Sequence, residues 1–177
     1  MAKIKLNNVR ISYPSLFRKG VFQGQETKYE ATFLIDKKEN KAKIDEINTA
    51  IKALIKNELE GAKLPPDKIC FKDGDEIDYA GYAGCMSLKA NNQKRPIVMD
   101  RDKSPITEDD NKIYAGCRVN AVIELWAQYK KKEFGKRINA NLLGVQFLKD
   151  DEPFADGAKV SADDFEAFGE EETADFM

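Results

Sequence analysis

From Val119 to Tyr129 every second side chain is apolar: Val119, Ala121, Ile123, Leu125, Ala127 and Tyr129. Between them stand Arg118, Asn120, Val122, Glu124, Trp126 and Gln128. A period of two held over so long a run describes a half-buried strand and excludes a helix. A second β-rich run, residues 136–148, follows the turn Tyr129-Lys-Lys-Lys-Glu-Phe-Gly135, so the pair reads as a β-hairpin. The apolar face of such a hairpin must be covered, which commits the chain to a β architecture.

The rest of the chain supplies the cover. Residues 3–13 also alternate, with a phase slip at Asn7-Asn8 that marks a bulge, a device for bending a strand round a small barrel. Pro14 is expected to end that strand. Residues 29–35 give another, with Tyr29, Ala31, Phe33 and Ile35 on one face. Asp36 and Glu39 then resemble a capping box, and Ile44, Ile47, Ile51, Leu54, Ile55 and Leu59 form a helical stripe closed by Gly61 and Pro65-Pro66. Residues 67–112 read as short strands and long loops, with apolar patches at 69–71, 85–90 and 97–99. The order predicts a mainly β fold: an OB-fold-like small Greek-key barrel over residues 1–149, with one amphipathic helix between strands. Residues 150–177 lose all periodicity and are expected to form a disordered acidic C-terminal tail.

Charge divides at the same boundary. Of 31 acids and 29 bases, eleven acids and one base fall in residues 150–177, which leaves 28 bases and 20 acids in residues 1–149. The body is therefore +8 and the tail −10. A basic body with an acidic tail suits a polyanion ligand, although a neutral domain with a solubilising tail is the plainer alternative. The 177 residues contain no histidine, which removes the commonest general base and zinc ligand. Cys70, Cys85 and Cys117 lack the spacing of a zinc ribbon and are expected to be reduced thiols in the cytoplasm. No phosphate-binding G-x-x-x-x-G-K-[ST] motif occurs. Asp100, Asp102, Asp109 and Asp110 lie in a lysine-rich loop and read better as solvated than as metal ligands. No apolar run approaches the length of a membrane span, and the opening residues lack a signal-peptide pattern. The expectation is a non-enzymatic protein with no cofactor, no metal and no membrane association.

Several side chains suit an extended anionic ligand. Lys130, Lys131, Lys132, Lys136 and Arg137 surround Phe134 on the hairpin turn, where cations track phosphates and an aromatic stacks on an unpaired base. Trp126 shares its polar strand face with Arg118 and Asn120. Either another element covers that face, or the indole is a stacking platform. The N-terminal segment repeats the mixture with Arg10 and Tyr13, while Phe17 reads as core. In the tail, Glu170, Glu171, Glu172, Asp175 and Phe176 combine charge with one apolar anchor, which suits docking in a basic-rimmed pocket.

These segments also carry a likeness. Arg10-Ile-Ser-Tyr-Pro-Ser-Leu-Phe17, Tyr29-Glu-Ala-Thr-Phe-Leu-Ile35 and Tyr114-Ala-Gly-Cys-Arg-Val-Asn-Ala121 form the first part of the set. Trp126-Ala-Gln128 and Gly135-Lys-Arg-Ile-Asn-Ala-Asn-Leu-Leu-Gly-Val-Gln-Phe147 complete it. Together they resemble the phage-encoded single-stranded-DNA-binding proteins over nearly the whole chain. The plan is similar to that of the helix-destabilising proteins of short-tailed coliphages. The resemblance implies an OB-fold that coats single strands without sequence preference, and an acidic tail that recruits replication or recombination enzymes. Those relatives typically end on phenylalanine, whereas here Met177 follows Phe176. On this reading Arg118, Lys130, Lys131, Lys132, Lys136 and Arg137 hold phosphates, and Trp126, Phe134 and Tyr13 stack on bases. The alternative is a protein-interaction or inhibitor module with a DNA-mimicking tail. A homo-oligomer is compatible with either.

Overall fold

The computed structural model describes residues 1–129, 135–154 and 166. Its elements run β1 (Ala2–Ser15), β2 (Val21–Phe22), β3 (Gln25–Glu26), β4 (Tyr29–Asp36), α1 (Lys41–Glu58), β5 (Phe71–Asp73), β6 (Cys85–Asn92), β7 (Ile97–Met99), β8 (Arg118–Gln128) and β9 (Arg137–Lys149). β1 pairs antiparallel with β8 through its first half and with β4 through its second. β6 pairs with β4, β9 with β8, and β6 meets β9 in parallel at Asn91 and Asn141. Five strands thereby close into a barrel, the OB-fold-like plan expected from the element order.

The closing seam is splayed. β6 and β9 pair directly only near Asn91; on one side of that point Ile69 and Cys70, just before β5, fill the gap. Cys70 N–H donates to Ile138 O at 3.0 Å and Lys89 N–H donates to Cys70 O at 3.1 Å. On the other side β7 lies parallel to β9 along Gly144–Gln146.

Alternation along β8 decides the core. Val119, Ala121, Ile123, Leu125 and Ala127 all face inward and are buried, as the period of two requires. They meet Leu6, Ile11, Phe33, Leu88, Ile138 and Leu142 from the other strands. The helical stripe is also in place: Ile47, Ile51, Leu54 and Leu59 join the same core, with α1 packed against β1, β8 and β9. No helix among the described residues is long and apolar enough to cross a membrane.

Four local expectations are corrected. Asp36 does not cap α1; its Oδ1 accepts the N–H groups of Lys38 and Glu39 in a preceding turn, and the helix begins after Asn40. The helix ends at Glu58, three residues before Gly61: Glu60 already takes the left-handed turn with φ of +56°, and Gly61 N–H closes back on Ile55 O at 3.0 Å. β1 continues past Pro14 to Ser15, with a shift in its pairing to β4 at that point. Tyr129 lies beyond the end of β8 and is 53% exposed, so the inward face stops at Ala127.

Phe33 is fully buried at the middle of β4 and is among the largest buried side chains. Phe33→Ala should lower unfolding stability by about 3–5 kcal/mol in urea titration, through lost burial and an unfilled cavity.

Candidate nucleic-acid interface

A cleft of about 530 Å³ runs over the outer surface of β4 and β6 and across the splayed seam. Its aromatic side is Tyr13, Tyr79 and Tyr82; its cations are Lys72, Lys89 and Arg137; Glu30 and Asp67 are its acids. Thr32 and Ser87 lie in the same cleft and are buried, while Asn91 and Asn139 line the wall near the seam. Tyr13 lies near the end of β1 with φ of +48°, a left-handed conformation that changes the strand's direction at this point. Tyr79 meets both neighbours edge to face, with ring centroids 5.5 Å from Tyr13 and 5.3 Å from Tyr82. Tyr82 is buried and donates its hydroxyl to Ser12 Oγ at 3.1 Å, and burial pushes its phenol up from the usual range. Tyr13 and Tyr79 are instead 53% and 56% exposed. Two exposed rings are thus fixed by a third that is anchored in the barrel.

The loop carrying Tyr79 and Tyr82 is clasped from below. Lys37 Nζ donates to Asp73 Oδ1 at 2.6 Å and to Asp75 Oδ2 at 2.7 Å. Asp75 Oδ1 accepts Gly84 N–H at 2.7 Å, which ties the two ends of the loop together. Gly74 leaves no room for a side chain, since a β-carbon there would strike Tyr82 O and Cys85 O. The Lys37 ammonium holds both carboxyls below their ordinary range, and they hold Lys37 above its own.

A second clasp lies at the end of the cleft nearest Tyr13. Arg118 Nε donates to Asp151 Oδ2 at 2.8 Å, and Arg10 Nε stands 3.6 Å from the same oxygen. The Glu152 N–H, followed by the Arg118 guanidinium, holds the Asp151 carboxyl below the usual carboxylate range. Arg10 also donates to Gly116 O at 2.9 Å and to Glu152 O, and its guanidinium lies 4.1 Å above the centre of the Phe154 ring. Phe154 N–H donates to Ala115 O at 3.0 Å. Tyr114 Oη accepts Asp151 N–H at 3.1 Å and donates to Asp150 Oδ1 at 3.0 Å. Residues 150–154 are thus bound along their length to the barrel.

The model of the Enterobacter phage Enc34 ssDNA-binding protein family matches residues 2–177. This chain belongs to that family. It is 40% identical over 174 residues to the putative protein p50 of Acyrthosiphon pisum secondary endosymbiont phage 1, covering 93% of this chain and 92% of that one. The single-stranded DNA-binding protein of bacteriophage Enc34, solved in complex with ssDNA, is 38% identical; the match covers 87% of this chain and 90% of that one at a TM-score of 0.76. The single-stranded DNA-binding protein gp2.5 of bacteriophage T7 shares the fold at a TM-score of 0.55 and 14% identity, over 91% of this chain and 99% of that one.

Within this frame the residues singled out from the sequence fall into separate places. Tyr13 and Arg137 line the cleft, with Arg137 also donating to Asp67 O at 3.2 Å. Arg10 and Arg118 meet at Asp151, beyond the cleft's end. Asn120 accepts Asn8 N–H at 2.9 Å and donates to Gln146 Oε1 at 3.2 Å, bracing the bulge in β1. Trp126 is half-buried on the outer face of β8, opposite Asn139, and its Nε1 is buried without a hydrogen-bond partner among the described residues. Lys136 Nζ lies 3.4 Å from Leu59 O, just past the C-terminal end of α1. Lys130, Lys131, Lys132 and Phe134 lie outside the described residues, as do Glu170, Glu171, Glu172, Asp175 and Phe176.

Among the cleft's cations and aromatics, Lys72, Lys89, Tyr79 and Tyr82 escaped the sequence reading. The available signal was Tyr79-Ala-Gly-Tyr82, two aromatics in a glycine-rich stretch without periodicity. Cys70 also lines the cleft, and burial pushes its thiol up to about 12, so it is no nucleophile at neutral pH. Asp100 is paired with Lys112 and Asp102 accepts Ser104 N–H. Among the described residues no group of three or more acids or cysteines is placed to hold a metal.

The Lys37 clasp gives a pH dependence with a definite sign. Asp73 and Asp75 have lowered pKa values, so their contribution is present above about pH 4 and is lost as pH falls through those lowered values. Lys37→Met should speed amide exchange at Gly84 at neutral pH. In the unmodified chain the Gly84 amide resonance should begin to shift only below about pH 4.

Proposed function

We propose that this chain binds single-stranded DNA without sequence preference, in phage replication or recombination. The observation that carries the proposal is the pair of exposed rings, Tyr13 and Tyr79, opening on a cleft with Lys72, Lys89 and Arg137. Bases stack on the two tyrosines and the cations follow the phosphates, an arrangement that tolerates any base because each has a flat face. Single strands are preferred because stacking needs unpaired bases. Lys89 is 3.7 Å from Glu30, whereas Lys72 has no carboxylate within 4.0 Å among the described residues. Lys72 is therefore the cation most ready for a phosphate. The family match and the ssDNA-bound relative support this reading.

Lys130, Lys131, Lys132 and Phe134, which precede Arg137 in sequence, add cations and an aromatic to the binding set, and Trp126 adjoins the cleft wall through Asn139. The acidic residues that follow Phe154 compete with DNA for the cations. Once displaced, they recruit replication or recombination enzymes through Glu170, Glu171, Glu172, Asp175 and Phe176.

The test is titration of Trp126 fluorescence, or of a labelled oligo-dT, against a matching duplex. Tyr79→Ala should weaken oligo-dT binding by about 1–3 kcal/mol. Lys72→Ala should weaken it and reduce the logarithmic salt slope by about 0.7. Equal affinity for duplex would overturn the stacking model. Neutralising Glu170, Glu171 and Glu172 to glutamine should tighten binding at low salt; unchanged affinity there would remove the competing role of the tail.

A further inference from the structure

The first residues after β9 are built into the barrel in a way that solubility or charge does not explain. Two glycines make room for them. A β-carbon at Gly81 would run into the Phe154 ring, and one at Gly116 would lie 2.9 Å from Phe154 N and from Pro153 Cα. Both glycines have positive φ, +86° and +108°, so the backbone itself is shaped to receive the segment. The ring fills the slot between the Arg10 guanidinium on one side and the loop 79–82 on the other. Phe154, Tyr13, Tyr79 and Ala80 border one small hollow of about 40 Å³.

We propose that residues 150–154 are a strap that positions the tyrosine loop, with Phe154 as a positioning residue for Tyr79. The proposal rests on the function given above and adds to it. Tyr79 presents a flat face to a base only if its loop cannot rock, and that loop is held at its ends by Lys37 and at its middle by Phe154. Lost ring mobility is an ordering cost met before DNA arrives, which raises affinity without adding a contact. The binding unit therefore runs to Phe154, and the part of the tail free to compete with DNA begins after it. The arrangement also opposes a simpler idea, that Asp151 merely masks Arg10 and Arg118 from phosphate. A mask needs the ion pairs alone; it needs neither an aromatic ring in a slot cut by two glycines nor a backbone hydrogen bond to Ala115.

The two ideas predict opposite signs. In the full-length chain, Phe154→Ala should weaken oligo-dT binding about tenfold if the strap is a brace, and tighten it if the strap is a mask. In a Tyr79→Ala background the same change should cost less than about twofold, because the ring it positions is gone. Tighter or unchanged binding by Phe154→Ala overturns the proposal. So does a loss that is fully additive with Tyr79→Ala, since that would be general destabilisation. Should Phe154→Ala fail to fold by thermal melting, Phe154→Leu keeps an apolar side chain in the slot; it should give a loss of about threefold, read through the same cycle. An unmodified chain that binds no oligo-dT overturns the proposed function. The strap is then judged by amide exchange at residues 79–82, and no acceleration in Phe154→Ala overturns it too.

Discussion

The barrel depends on one strand turning a corner without leaving the sheet. β1 pairs with β8 from Ala2 to Arg10 and with β4 from Arg10 to Ser15, so it belongs to both halves of the closed sheet. The corner is the bulge between Leu6 and Val9, where Asn8 takes a φ of +53° and the pairing to β8 shifts. A bulge leaves a backbone group off the ladder, and Asn120 meets that need by accepting the Asn8 N–H from the facing strand. Asparagine is suited twice over here, because Asn8 tolerates the left-handed region and Asn120 offers both an acceptor and a donor. With the corner in place β4 is carried round towards β9, and β6 can close the seam at Asn141. The cleft follows from that closure: it lies where β6 and β9 have splayed enough for Ile69 and Cys70 to enter between them, with Lys72 following on β5 at the cleft.

Wherever periodicity ran longer than one turn or one strand, the sequence was a sufficient guide. The buried residues of β8, the helical stripe of α1 and the slip at Asn7-Asn8 all sit where their spacing places them. β5 and β7 were only apolar patches, because three residues cannot display a period; they exist as strands through their pairing to β6 and β9. Asp36 shows a related failure. A carboxylate three residues before a glutamate suits a helix cap and an Asx turn equally, and which forms depends on where the helix is pulled by its packing.

Polar faces were the least legible part of the site. On β8 the residues Arg118, Asn120 and Trp126 alternate outward alike, yet one clamps Asp151, one braces a bulge and one adjoins the cleft wall beside Asn139. Each task needs a hydrogen-bonding or amphipathic side chain, so residue type does not separate them. Only the position of the partner does, and the partners come from residues 8, 139 and 151, far away in sequence. Tyr79 was missed for the complementary reason. Its loop has no regular period, and its orientation is set by Lys37 from the β4–α1 turn and by Phe154 from after β9.

The split between a basic body and an acidic tail also gains meaning from the strap. Three of the eleven acids, Asp150, Asp151 and Glu152, lie within the strap, and the other eight follow Phe154 in the chain, so their point of departure is beside Tyr13 and Tyr79. In the proposed function, competition with DNA is intramolecular, and its strength would be set by the local concentration of acids at the cleft rather than by the concentration of protein. Both contacts exchange counterions with solution. On that proposal, DNA entering the cleft would release cations from its phosphates, while displaced acids would take cations up again. The salt dependence of the whole chain is the difference between those two terms. A chain working as proposed would contact more phosphates than its salt slope counts, and the gap would measure how many cations the acids neutralise before DNA arrives.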